Sequence, residues 1–189
     1  MNNYVFLGDS LTFGYGVKPK DNWVTLLKKY LNKNIINKGI NGNTTADMLF
    51  RFDEDVIANT PKTLFIMGGT NDLLSNRSVS SIVSNIELMI KEAISKNITV
   101  ILGIPPIIKS EEAQRLFIPS LTYDYCADNL QALKDQLINL SINYNIPYID
   151  FYSITKENID NNIFTDGIHL NPKGQNLLFE KAKEVFIPD

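Results

Sequence analysis

Five short apolar runs, each followed by a stretch of helical periodicity, constrain this chain more than any other feature. The runs are Tyr4–Leu7, Ile35–Ile36, Leu64–Met67, Ile98–Ile104 and Ile146–Ile149. They are nearly continuous in apolar character and rich in Ile and Val. A strand with one wet face alternates; a strand buried on both faces reads like these, as in a parallel sheet. Between them, apolar residues recur at helical spacing. Trp23, Leu26, Leu27, Tyr30 and Leu31 form one face, and Met48, Leu49, Phe52 and Val56 another, with Thr44 or Thr45 as N-cap. Further faces are Ile82, Val83, Ile86, Met89, Ile90, then Cys126, Leu130, Leu133, Leu137, Leu140, Tyr144, and last Leu178, Ala182, Val185, Phe186. Asn171 followed by Pro172 reads as an N-cap with proline in the first turn. The alternation predicts a three-layer α/β/α sandwich on a five-stranded parallel sheet with right-handed crossovers. No repeat, linker or low-complexity tract divides it, so residues 1–189 are read as a single domain.

Composition narrows the function. A chain of 189 residues, 44% hydrophobic and 21% charged, can bury a core without disulfides or metal. A net charge of −3 gives no basic field for nucleic acid or anionic lipid. One cysteine, Cys126, excludes an intramolecular disulfide and a Cys-rich zinc site, and fits a reducing cytoplasm. No apolar run reaches membrane-spanning length. With the first strand starting at about Tyr4 there is no room for a signal peptide, so a cytoplasmic chain is expected, or a secreted one if a signal peptide preceded residue 1. The acidic run Asp53-Glu54-Asp55 reads as a solvated helix face rather than a metal site. No metal and no cofactor are expected.

Four segments carry chemistry, and each taken singly also reads as an ordinary turn. Gly8-Asp9-Ser10-Leu11-Thr12 follows the first strand and presents a hydroxyl at its carboxyl end. Asn41-Gly42-Asn43-Thr44 follows the second, where free backbone N–H groups at a helix start can bind an anion. Gly68-Gly69-Thr70-Asn71-Asp72 follows the third and offers the Asn71 carboxamide. Asp166-Gly167-Ile168-His169 precedes the last helix and holds the only histidine in the chain. Three residues apart across a tight turn, Asp166 can hold one ring nitrogen of His169 while the other faces Ser10. In a parallel sheet the carboxyl ends of the strands share one edge. The four segments together therefore supply the parts of acyl transfer: nucleophile, base, orienting acid and oxyanion donors.

In these blocks the chain resembles the SGNH/GDSL hydrolase family. Gly8-Asp9-Ser10-Leu11, Gly42 within Asn41-Gly42-Asn43-Thr44, Gly69-Thr70-Asn71-Asp72 and Asp166-Gly167-Ile168-His169 match its blocks in family order, from residue 8 to residue 169. The resemblance implies a flavodoxin-like fold with Ser10 as nucleophile, His169 as base and Asp166 orienting it. It implies an oxyanion hole made of the Ser10 and Gly42 backbone N–H groups and the Asn71 side chain. Thr70, between Gly69 and Asn71, is shared with acetylesterase-like members; thioesterase-like members often lack it.

The expected activity is hydrolysis of a small-molecule ester with a short acyl group, acetyl as first choice. Lysophospholipid or acyl thioester is the alternative within the family. A non-catalytic flavodoxin-like binding module is the alternative outside it. Against that module, the third strand ends on glycines rather than a phosphoacceptor Asp, and Gly14-Tyr15-Gly16 lacks the third glycine of a dinucleotide loop. No Gly-x-Ser-x-Gly elbow indicates an α/β-hydrolase. The irregular stretch from Pro105 to Tyr125 reads either as a substrate-side loop or as a surface excursion. Tyr15, Phe117, Tyr123, Tyr125 and Phe164 are candidates to line a pocket, although most aromatics at this density belong to the core.

Overall fold

The computed structural model describes residues 3–187. In chain order the elements are β1 (Asn3–Gly8), α1 (Ser10–Phe13), α2 (Trp23–Leu31), β2 (Asn34–Gly39), α3 (Thr45–Phe50), α4 (Phe52–Asp55), β3 (Thr63–Met67), α5 (Thr70–Leu74), α6 (Val79–Ser95), β4 (Thr99–Ile104), α7 (Ser110–Leu116), α8 (Thr122–Tyr144), β5 (Tyr148–Asp150), α9 (Phe151–Glu157) and α10 (Pro172–Ala182). All five strands are parallel and lie in the order β2-β1-β3-β4-β5. The chain steps from β1 to β2 in one direction and from β3 through β5 in the other. Right-handed crossovers therefore put the connecting helices on opposite faces. Helix α2 packs on α10, and α10 on α9; across the sheet α3 packs on α6, and α6 on α8. The result is the expected three-layer sandwich. The strand order reverses between β1 and β3, and ligands of open α/β sheets bind beyond the strand ends at such a reversal.

The predicted helix starts hold. Thr44 caps α3 in a capping box with Asp47, and the Asn171 side chain accepts the Lys173 and Gly174 N–H groups ahead of α10. The irregular stretch after β4 contains α7, and its first part is core: Ile107 and Ile108 are buried. Phe164 is also core, 5% exposed. The acidic run departs from expectation. Asp53 and Glu54 are exposed, but Asp55 is buried against Lys38 (2.8 Å) and Arg51. A solvated face was expected there because Lys38 reaches Asp55 from β2, while Arg51 lies one helical turn before it.

Aromatic packing supports the Ser10 segment from below. Trp23 is fully buried among Phe6, Phe65 and Phe151, with ring centroids 5.6, 5.4 and 5.2 Å away. Its indole N–H, which would be costly to bury unpaired, donates to the Leu11 carbonyl at 3.0 Å. Asn37 donates to the Thr12 carbonyl (2.9 Å) and Asn22 to the Phe13 carbonyl (3.2 Å). Within α1 the Ser10 carbonyl takes the Gly14 N–H, whereas those of Leu11, Thr12 and Phe13 depend on these outside donors, which fix α1 on the sheet. Among the described residues no helix is long and apolar enough to cross a membrane.

Candidate active site

Beyond the carboxyl ends of β1 and β3, three of the predicted residues meet. Ser10 is the first residue of α1, and Asp9 caps that helix by accepting the Leu11 N–H at 2.9 Å. Ser10 Oγ lies 3.0 Å from His169 Nε2, and His169 Nδ1 lies 2.8 Å from Asp166 Oδ2. The other Asp166 oxygen accepts the backbone N–H groups of His169 (2.7 Å) and Ile168 (3.0 Å). The carboxylate thus fixes both the imidazole and the turn that carries it. Burial works to raise the Asp166 pKa, but the hydrogen bonds from the His169 ring and backbone outweigh it and hold the carboxyl below its usual range. At neutral pH Asp166 is an acceptor, which suits an imidazole protonated on Nδ1 with Nε2 open toward the hydroxyl. Such an imidazole can take the hydroxyl proton and return it to a leaving group.

The turn itself is tightly enclosed. It is closed by the Thr165 N–H donating to the His169 carbonyl (2.8 Å) and by a bridge between Phe164 and Leu170. Gly167 adopts φ 84°, and its carbonyl accepts the Lys109 N–H at 2.7 Å. The stretch after β4 therefore buttresses this turn. One aromatic among the pocket candidates touches the site: Tyr15 lies with its ring centroid 4.4 Å from that of His169 and is 45% exposed. Only its place just after the Ser10 segment pointed to it.

The two remaining predicted residues belong to a second cluster. The Asn71 carboxamide donates one N–H to the Asn43 carbonyl at 2.9 Å, which leaves its other N–H for a ligand. Gly42 has φ 79° with no atom within 4 Å of where a Cβ would stand, so the backbone conformation, not crowding, calls for glycine there. This loop is tied to β1 by the Ile40 N–H, which donates to the Gly8 carbonyl at 3.1 Å. Its far side is held by Asp72, which accepts both the backbone N–H (2.8 Å) and the hydroxyl (2.7 Å) of Thr45. The Ser10 N–H, as the first of its helix, has no partner within α1.

Asp9 stands out electrostatically. It is 1% exposed, and its Oδ2 is buried without a hydrogen-bond partner among the described residues. Burial pushes its pKa up to about 6, against the pull of the Leu11 N–H and of His169, with Asp72 adding to the rise. In the folded chain Asp9 thus holds its proton to higher pH than in the unfolded chain, where the ordinary value is 3.8. Its contribution to stability is fully present below pH 4 and is lost as pH rises through 6. The expected loss is about 3 kcal/mol, from roughly two pKa units. Asp9→Asn removes this titration. Urea unfolding of both proteins at pH 4 and pH 8 should show the variant gaining on wild type by that order between the two; parallel curves would contradict the assignment.

The comparisons with known proteins bear on this geometry. The model of the GDSL-like Lipase/Acylhydrolase family matches residues 6–177. The chain belongs to that family. Among curated relatives it is 48% identical over 75 residues to an uncharacterized lipoprotein, YqeF, of Bacillus subtilis, which is 36% of this chain and 31% of that protein. It is 51% identical over 39 residues to an acetylxylan esterase of Geobacillus stearothermophilus, 21% of this chain and 18% of that one. The matched stretches span less than a third of either relative's length. A member of the lipolytic G-D-S-L family from Veillonella parvula superimposes with a TM-score of 0.85 at 27% identity, over 98% of both chains.

Proposed function

We propose that this family member is a serine esterase acting on short acyl esters, acetyl esters first among them. The observation that carries the reading is the unbroken line Ser10–His169–Asp166, at 3.0 and 2.8 Å, on the sheet edge where the strand order reverses. In this reading His169 takes the Ser10 proton as Oγ attacks the ester carbonyl. The tetrahedral oxyanion is met by the Ser10 and Gly42 N–H groups and the free N–H of Asn71. His169 then protonates the departing alcohol, and water, activated by the same imidazole, releases the acid. The three donors meet a charge that exists only in the transition state, so their energy lowers the barrier rather than merely binding substrate. The acetylxylan esterase among the relatives, and Thr70 ahead of Asn71, support the choice of a short acyl group.

Hydrolysis of p-nitrophenyl esters over a series of acyl lengths tests this. The acetate is expected to show the highest kcat/KM, with a decline by the octanoate. A maximum at long chains would move the assignment to a lysophospholipase- or thioesterase-type substrate, and no acceleration at any length would refute the esterase reading.

A further inference from the structure

Arg51, outside all four motif segments, joins the two halves of the site. It follows α3, its side chain is 11% exposed, and its guanidinium is spread across three partners. Nη2 donates to the Gly8 carbonyl at 2.8 Å, at the end of the strand that delivers Ser10. Nε donates to the Asn43 side-chain oxygen at 2.7 Å. Nη1 pairs with Asp55, which Lys38 also holds at 2.8 Å. Burial works to raise the Asp55 pKa, but the hydrogen bonds from Lys38 and Arg51 outweigh it and keep the carboxyl ionised. The fork is therefore anchored on one side while its other donors reach forward. Asn43 is the next link, because its backbone carbonyl accepts the Asn71 carboxamide at 2.9 Å.

We infer that Arg51 is a positioning residue for the oxyanion site: its guanidinium sets Asn43 relative to the end of β1, and through Asn43 it aims the Asn71 N–H at the carbonyl that Ser10 attacks. The inference rests on the esterase reading above. A rigid planar fork suits the task, since one group must satisfy two acceptors on separate backbone segments at once; a lysine ammonium on a flexible stem has no such fixed geometry. Asp72 complements it by pinning Thr45 at the other end of the loop.

The test is a double-mutant cycle with p-nitrophenyl acetate. Arg51→Met keeps an aliphatic stem and removes every donor. Removing an oxyanion donor outright costs about 100- to 1,000-fold, and misplacing a group by ~1 Å about 100-fold, so Arg51→Met should lower kcat by roughly 10- to 100-fold. KM should stay within about threefold, because the lost interaction belongs to the transition state. In an Asn71→Ala background the same change should cost at most a few-fold, since the donor it positions is already gone. Asn43→Ala cuts the link while leaving Arg51 on Gly8 and Asp55, and should reproduce the kcat loss; it decides the matter if Arg51→Met does not fold. Wild-type kcat in Asn43→Ala, a loss confined to KM, or costs that multiply fully in the cycle would each overturn the inference. An active wild type, silenced by Ser10→Ala, would leave the esterase reading standing in any of those cases, whereas a wild type inert toward all esters would remove both.

Discussion

Ser10→Ala is expected to lower kcat on a short acyl ester by about a million-fold, with the fold intact. The magnitude follows from how such groups act as a unit: once the nucleophile is gone, the base and its orienting acid have nothing to activate. His169→Ala should cost nearly as much, and the double variant hardly more than either alone. Ser10 is 6% exposed and its Oγ reaches His169 at 3.0 Å, so the alanine fits and loses one hydrogen bond, while the imidazole stays held by Asp166. Thermal unfolding should therefore stay within a few degrees of wild type. The measurement is single-turnover acyl release on protein whose active sites have been counted, which separates a true residual rate from a trace of wild-type enzyme. Activity that survives in Ser10→Ala would remove the covalent mechanism.

Gly167→Ala is expected to be the most damaging change made outside the reacting groups. Two costs fall on the same residue. At φ 84° an alanine is strained by about 1 kcal/mol. Its Cβ would also stand 2.6 Å from the Ala113 nitrogen and 2.6 Å from the Lys109 carbonyl oxygen. Both are backbone atoms, so no side chain can swing aside to make room. Either the start of α7 or the turn must move, and the turn carries both Asp166 and His169. A displacement of ~1 Å at such a group costs about 100-fold in rate. We expect kcat to fall by that order and stability by about 2–4 kcal/mol, the range for forced strain and overpacking together. Urea unfolding and initial rates on the folded variant check the two parts; a variant matching wild type in both would show that the turn has slack.

Much of this was legible in the sequence. The strands were readable because residues buried on both faces leave a continuous apolar run, as in Leu64–Met67, and the alternation with helical faces fixed the layers. Ser10, Asn71 and His169 stand out as candidates because each sits in a short motif at a strand end or a turn. What escaped was whatever depends on partners distant in sequence. Asp55 looked like part of a wet helix face because neither its neighbours nor its spacing show that Lys38 reaches it from β2. Arg51 carries no motif; its importance lies in touching Gly8, Asn43 and Asp55 at once. The stretch after β4 read as a substrate loop or an excursion, yet it braces the Gly167 turn through the Lys109 N–H, a contact that no periodicity encodes. Helix α9 was too short, at seven residues, to show a helical face.

The bond between Ser10 and His169 spans 159 positions of chain. During synthesis the Ser10 hydroxyl leaves the ribosome long before the His169 imidazole, 159 positions later. A stalled or clipped product lacking the segment after α9 keeps all five strands and Ser10 but has no histidine to pair with it. On the esterase reading, competence is expected only once the segment carrying His169 has docked, so the onset of ester hydrolysis would report that docking rather than the formation of the sheet.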